Sequence, residues 1–182
     1  GMPSPAPPAT SLAAPPFQLR PFAEGDLGLY AGLFTDIEVM QAVAPPFVRE
    51  RAERAAAASL RHQCEPGGRF RHWVIEHAGR PAGLLGLALR GEAWQGGEAE
   101  LGVLLWPAWQ ARGAASAAIT AVRPWAFDVA GLLTLTCHHA EAHAGAAALM
   151  QRVGFTRCPP RADAPLPVGW EYRSDAAARP LR

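Results

Sequence analysis

The stretch from Pro107 to Ile119, PAWQARGAASAAI, begins a predicted helix without a residue that normally caps one. The first N–H groups of a helix have no partner inside it, and Ser, Thr, Asp or Asn usually supplies an oxygen for one of them. None of these lies between Pro107 and Gly113, and Arg112 places a cation at the positive end of the helix dipole. The pattern indicates a helix start that receives an anion, most economically a phosphate or pyrophosphate.

The same small residues allow a second interpretation, which is close packing of the helix on a sheet. Two common phosphate-binding turns are excluded by the residues themselves. No Gly-Lys-Ser or Gly-Lys-Thr is present, as a Walker loop requires, and the Gly-x-Gly-x-x-Gly pattern of a dinucleotide-binding turn is missing. A different type of phosphate-binding helix start is therefore needed.

A second group of residues that could do chemistry is His139, Glu141 and His143. On an extended segment the three would share a face and offer the ligands of a two-His-one-carboxylate metal site. Neighbours on one face of a strand are about 6 to 7 Å apart, so three ligands from a single strand rarely converge on one ion. We keep a metal enzyme as an alternative and predict that no metal is bound.

Composition limits the classes of partner. The chain has 182 residues, of which 49% are hydrophobic, and a net charge of +1, so it suits one folded domain and offers no basic field for nucleic acid or membrane. No apolar run reaches the roughly 18 residues that span a bilayer, and the first residues lack the features of a signal peptide. The three cysteines form no C-x-x-C pair, so neither a disulfide framework nor a cysteine zinc site is indicated. We expect a cytoplasmic protein.

The elements that must position these groups follow from the hydrophobic periodicity. Predicted strands begin near Phe17, Arg69, Ala82, Glu98, Leu132, Phe155 and Trp170. Helices fill the gap before Arg69 and the intervals on either side of the fifth strand, and Pro124 is expected to break its helix at Arg123. We predict one mixed α/β domain over residues 17–175, preceded by a disordered Pro/Ala-rich tail with a tag remnant (1–16) and followed by a C-terminal tail (176–182).

The helix start resembles the defining element of the GNAT superfamily of acyl-CoA N-acyltransferases, Q/R-x-x-G-x-G/A, which reads here QARGAA, Gln110 to Ala115. The longer run AELGVLLWPAWQARGAASAAI is similar to the RimJ/RimL branch, and ALMQRVGF, from Ala148, resembles the helix and Gly-Phe step that close the CoA site. The resemblance implies the GNAT fold, an α/β (α+β) architecture. Its mixed, mostly antiparallel sheet of about seven strands is flanked by helices and splayed between strands 4 and 5.

That resemblance also implies a donor site for acetyl-CoA. In the family, backbone amides of the turn hold the pyrophosphate, main-chain groups of the preceding strand align the thioester, and the pantetheine arm enters where the strands part. The implied donor-binding residues are Val103, Leu104, Leu105, Gln110, Ala111, Arg112, Gly113, Ala114 and Ala115, and His143 is a further candidate contact.

Acetylation of an amine requires a neutral amine, and a base supplies it. Glu100 is the main candidate, because it matches the glutamate of the RimJ/RimL Ala-Glu-Leu-Gly run; Glu98 would share its face, and His143 could relay a proton. Carboxylates on an exposed strand face are usually only solvated, so the alternative is that Glu100 has no catalytic role. The family's Asn, Ser and Tyr are replaced by His143, Ala146 and Met150, which leaves no standard general acid.

The sequence therefore predicts an N-acetyltransferase that moves an acetyl group from acetyl-CoA to a primary amine by direct attack in a ternary complex. The acceptor is a protein N-terminus or a small-molecule amine, with no nucleic acid or membrane partner, and a homodimer is one option for the assembly. A non-catalytic acyl-CoA-binding or regulatory module of GNAT fold stays open as the alternative, because the usual acid is absent.

Overall fold

The computed structural model describes residues 5–175, so the predicted tag remnant and the predicted tail at 176–182 lie outside the described residues. Eight strands form one sheet: β1 (Leu12–Ala14), β2 (Phe17–Pro21), β3 (Phe70–His77), β4 (Arg80–Arg90), β5 (Glu98–Leu105), β6 (Thr134–His139), β7 (Thr156–Cys158) and β8 (Val168–Arg173). The helices are α1 (Leu27–Thr35), α2 (Ile37–Met40), α3 (Arg49–Cys64), α4 (Ala114–Pro124) and α5 (Ala144–Arg152).

The strand order is β1-β2-β3-β4-β5-β6-β8-β7, and every neighbouring pair is antiparallel except β5 and β6. One face of the sheet packs on α4, where small residues allow close approach. The other face packs on α1, α2 and α3. The predicted mixed, mostly antiparallel sheet flanked by helices is confirmed.

The segment before Phe17 corrects the expectation of a disordered tail, because residues 5–16 are held against the domain. Leu12–Ala14 adds an eighth strand to the sheet by pairing with β2. Buried Arg71 donates to the carbonyl oxygens of the two residues Ala6 and Pro7, and the indole N–H of Trp73 donates to Thr10 at 2.8 Å. A proline-rich segment has many free carbonyl groups, and these buried donors satisfy them.

Helix α4 continues one residue further than the predicted break at Arg123. It ends at Pro124 and continues as a π-helical turn, Trp125–Val129. Proline lacks the N–H that would bond to the preceding turn, so the wider spacing begins directly after it.

The ladder between β5 and β6 is short, and this creates the opening of the sheet. It joins only Glu98 to Thr134, Ala99 to Leu135 and Glu100 to Thr136. Beyond these pairs β5 remains bonded to β4 as far as Leu105, and β6 remains bonded to β8 as far as His139. The two strands keep their outer partners and part from each other, so the predicted splay between the fourth and fifth predicted strands is confirmed.

Candidate active site

The turn before α4 has no side-chain cap. Gly113 is the N-cap residue, with φ of 80°, and no side chain of residues 5–175 accepts a hydrogen bond from the first N–H groups of the helix. Ala111 also has a positive φ, 60°, which is uncommon for a residue with a Cβ and costs of order 1 kcal/mol. Both residues are exposed. The chain therefore adopts a strained shape here that its packing against neighbours does not impose.

The backbone N–H groups of this turn point to the function of that shape. Within residues 5–175, the N–H groups of Gly113, Ala114 and Ala115 have no hydrogen-bond acceptor. Three free donors at the positive end of a helix dipole form a site for an anion. The turn therefore fits a phosphate or pyrophosphate group.

The alternative interpretation of the small residues, close packing, holds for part of the turn. Ala114 and Ala118 are almost completely buried against the sheet. Gly113 differs, because a Cβ built on it would have no atom within 4 Å. Its positive φ requires glycine, whereas its packing does not.

Two side chains of the turn have partners that fix its position. Nε2 of Gln110 donates to the carbonyl oxygen of Leu105 at 3.2 Å and thus ties the turn to the end of β5. The Arg112 guanidinium lies 5.3 Å from the centre of the Trp109 ring. These contacts bring the turn next to Val103, Leu104 and Leu105, which lie on β5 beyond its last pair with β6.

Glu100 lies at the point where the sheet opens, and its carboxylate has two close partners. Nδ1 of His138 donates to it at 2.8 Å, and the hydroxyl of Thr136 donates at 2.8 Å. Nε2 of His138 in turn accepts from the N–H of Arg161 at 3.1 Å, which assigns the ring proton to Nδ1. A quarter of the Glu100 side chain is still exposed, so the carboxylate can reach water or a ligand.

Glu98 shares this face, as predicted, but it is neutralised by arginines. The guanidinium of Arg161 donates to both of its oxygens, at 2.7 and 3.0 Å, and Arg90 lies at 3.2 Å. The hydrogen bond to Glu98 is the main reason that the pKa of Arg161 is raised. Glu98 therefore acts as an anchor for the loop that carries Arg161.

His143 is the N-cap residue of α5. Its Nδ1 accepts from the N–H of Ala146 at 3.3 Å, and no contact joins it to Glu100 among the described residues. Burial lowers its pKa first, and the charge of His139 adds to this effect. Met150, which replaces the Tyr of many GNAT members, is buried in the core.

The metal alternative is not supported by the fold. Strand β6 ends at His139, so Glu141 and His143 do not share a strand face with it. Nε2 of His139 accepts from the indole of Trp170 at 2.8 Å. Across residues 5–175, no group of three or more His, Cys, Asp or Glu side chains is arranged to hold a metal ion.

Four residues that contact Glu98 or Glu100 were not among the residues predicted from sequence: Arg90, Thr136, His138 and Arg161. Thr136 and His138 alternate in TLTCHH, and a parallel register with β5 places them beside Glu100. That signal was available in the strand pattern. Arg161 follows β7 in an irregular loop, and nothing in its local sequence identifies its role.

None of the helices described between residues 5 and 175 is long and apolar enough to cross a membrane. Cys64, Cys137 and Cys158 are all free thiols.

Comparison with known proteins identifies the family to which the chain belongs. A family model described as an acetyltransferase (GNAT) domain matches residues 17–156. The fold is similar to an acetyltransferase from Agrobacterium tumefaciens, with 25% identity and a TM-score of 0.71 over 93% of this chain and 95% of that one. Comparison with curated proteins gives no significant match.

Two further solved structures show the same fold at lower identity. A spermidine N-acetyltransferase from Vibrio cholerae, in complex with CoA and spermine, has 19% identity and a TM-score of 0.71 over 87% of this chain and 96% of that one. An acetyltransferase from Salmonella typhimurium that modifies the N-terminal serine of ribosomal protein L7/L12 has 17% identity and a TM-score of 0.70, over 93% and 99% of the two chains.

Proposed function

Because the chain belongs to the GNAT acetyltransferases, we propose that it transfers an acetyl group from acetyl-CoA to a primary amine in a ternary complex. The observation that carries the proposal is the set of free amides at the start of α4, next to the place where β5 and β6 part. The amides offer a site for the pyrophosphate, and the gap offers a path for the pantetheine arm. Gln110, Ala111, Arg112, Gly113, Ala114 and Ala115 are the proposed pyrophosphate site.

Val103, Leu104 and Leu105 are the proposed neighbours of the thioester. They lie on the part of β5 that no longer pairs with β6, so their main-chain groups on that edge are available to a ligand. A strand edge of this kind recognises an extended partner by main-chain hydrogen bonds. The pantetheine arm carries two amide groups and suits such an edge.

In the proposed reaction the amine nitrogen attacks the thioester carbonyl carbon and a C–N bond forms. The C–S bond then breaks and the thiolate of CoA leaves. Glu100 takes the amine proton, directly or through a water molecule, and Thr136 and His138 hold its carboxylate in place. The thiolate needs no dedicated acid, because a thiol has a pKa of about 8.5 and leaves with little assistance.

The roles of the other two predicted catalytic residues follow from their contacts. Glu98 is held by two arginines, so we propose that it orders the Arg161 loop and takes no proton. His143 caps α5 through the nitrogen that a proton would occupy, which supports a structural role. Glu100 is thus the proposed base.

The finer placement in the RimJ/RimL branch is also a proposal. It is supported by the Ala-Glu-Leu-Gly run that carries Glu100 and by the fold shared with the enzyme that modifies L7/L12. An α-amine has a pKa of about 7.7 to 8.0, so a single carboxylate base is sufficient for it at neutral pH. A cytoplasmic location is proposed as well, and the free thiols support it.

Amine-dependent release of CoA tests this function. Thiol release from acetyl-CoA is measured with α-amines, polyamines, aminoglycosides and peptides, beside a reaction without amine. We expect release that requires an amine. The competing function, a binding module, is favoured by the absence of the usual acid and predicts acetyl-CoA binding without release. Light scattering during size exclusion distinguishes a homodimer, which is one option for the assembly, from a monomer.

A further inference from the structure

An open groove of about 710 Å³ lies beside the split sheet. One wall is the segment from α2 to Pro46, and the other includes Ala140 and Leu166. Ala140 directly follows the end of β6, whereas α2 packs on the far end of β5, in the cluster around Leu104. One wall therefore packs on the end of β5 and the other follows the end of β6, so the groove lies where the two strands part.

Gly102 leaves open space on β5 between the candidate base and the end of the strand on which α2 packs. Residues alternate along a strand, so Glu100, Gly102 and Leu104 point to the same face of the sheet as α2. Gly102 is exposed, its φ is not in the left-handed region, and a Cβ built on it would meet no atom within 4 Å. A glycine inside a strand weakens it and often marks the close approach of a ligand. Neither packing nor backbone shape requires glycine here.

The groove is apolar for most of its surface. Exposed Ile37 lies in it together with Val43, Pro46 and Leu166, and the one charged side chain among its lining residues is Glu38. At the other end, around Glu100, carboxylates outnumber arginines: Glu98, Glu100, Glu171 and Asp163 face Arg90 and Arg161. The charges thus favour a cation near Glu100, and the groove favours an apolar group.

We infer that the acceptor is a primary amine with a single positive charge and an apolar substituent, whose amine end passes over Gly102 while its apolar body lies in the groove. Polyamines and aminoglycosides fit poorly, because a second ammonium group would lie in apolar surroundings, where an unpaired charge is costly. This inference rests on the proposed function and adds the substrate class to it.

The first experiment compares acceptors that differ in charge and apolar body. Release of CoA from acetyl-CoA is measured with hexylamine, the peptide Phe-Ala-Ala-amide, spermidine and kanamycin. We expect kcat/KM for hexylamine or the peptide to be at least about tenfold above that for spermidine and kanamycin, since burial of two CH₂ groups already gives this factor. The comparison of hexylamine with the peptide shows whether the preferred acceptor is a small amine or a peptide N-terminus.

Two variants locate the acceptor. Gly102→Val is expected to lower kcat/KM for the preferred amine by about tenfold or more and Ile37→Asp by a similar factor, because a bulky side chain closes the path and a charge spoils the apolar wall. Acetyl-CoA affinity, measured by calorimetry, is expected to stay within about threefold in both. Val129→Asp is the matched control, since Val129 is also an exposed apolar residue but does not line the groove.

The outcomes separate the inference from the proposed function. Preference for spermidine or kanamycin, or equal kcat/KM in Ile37→Asp and Val129→Asp, overturns the inference and leaves an N-acetyltransferase. If the protein binds acetyl-CoA but releases no CoA with any of the four amines, the proposed function is overturned and the inference with it. The expected preference, lost in the two groove variants and kept in the control, supports both.

Discussion

The turn at the start of α4 and the charged cluster around Glu100 are built in opposite ways. The turn uses six consecutive residues, and the groups proposed to bind the pyrophosphate are backbone N–H donors. The cluster uses side chains from β4, β5, β6, β8 and the loop that follows β7. A local backbone site depends on φ angles and small residues, whereas the cluster depends on strand register. The two regions should therefore respond differently to substitution.

The largest expected effect is in the turn. Gly113→Val is expected to weaken acetyl-CoA binding by about 100-fold, because a β-branched residue disfavours the left-handed φ and the turn loses hydrogen bonds to a charged group, each worth about 1.5–3 kcal/mol. The Kd measured by calorimetry checks this.

Gly91→Val is the matched control for the turn. Gly91 also has a positive φ and open space around it, and it lies in the turn after β4. We expect it to lose similar stability and to bind acetyl-CoA normally. Equal Kd values for the two variants would contradict the pyrophosphate site.

The second effect belongs to the cluster. Glu100→Gln is expected to lower kcat by about 100-fold or more, the lower end of the contribution of a general base, while acetyl-CoA affinity is unchanged. Steady-state kinetics with the preferred amine measures it. Glu98→Gln is the comparison, and we expect it to keep kcat within about threefold, because two arginines already neutralise Glu98. A larger loss in Glu98→Gln than in Glu100→Gln would reverse the assignment.

A third prediction concerns the residue that positions Glu100. His138→Ala is expected to lower kcat by about tenfold, because the charged Glu100 carboxylate loses a hydrogen-bond donor and the N–H of Arg161 loses its acceptor. His138→Gln, which retains a donor and an acceptor, should recover part of the loss. A fall in stability with kcat intact would show that His138 only supports the fold.

The smallest effect is at the cap of α5. His143 is neutral when it accepts from Ala146, and burial, followed by the charge of His139, holds its pKa below the ordinary value of about 6.5. The contribution of this cap to the free energy of unfolding is therefore present above about pH 6.5 and is lost as the pH falls through the lowered folded pKa. His143→Ser should keep the cap and reduce this pH dependence, by less than about 1 kcal/mol.

Urea unfolding at pH 7.5 and pH 5, for the native chain and His143→Ser, measures that difference. His72 is another histidine whose pKa is lowered by burial, to about 4, and its effect is common to both proteins. An unchanged kcat in His143→Ser is also expected. A fall of tenfold or more in kcat would restore His143 as a catalytic candidate.

Prediction from sequence succeeded where the signal was local. The uncapped helix start at Gly113 was predicted correctly, because the missing cap, Gly113 and its alanines are adjacent in the chain, whereas its use as a pyrophosphate site stays a prediction. The order of strands and helices followed from periodicity, including the antiparallel β3, β4 and β5. Glu100 and Glu98 were placed on one face for the same reason, since side chains alternate along a strand.

Prediction failed where partners are distant in sequence. The Pro/Ala-rich segment before Phe17 has the composition of a disordered tail, but buried donors on Arg71, Trp73 and Trp125 bind its carbonyl groups from more than sixty residues away. Composition does not reveal such partners. The same holds for Arg161, which reaches Glu98 across 63 positions.

The amino-acid sequence by itself determined most of the elements and the shape of the turn, because helix starts, positive φ angles and strand alternation are properties of neighbouring residues. Only the tertiary structure decided that Glu98 is held closely by two arginines, whereas Glu100 is hydrogen-bonded by Thr136 and His138. Glu98 and Glu100 are two residues apart and chemically identical. Their difference arises because the register of β6 places Thr136 and His138 beside Glu100, while the loop after β7 brings Arg161 to Glu98.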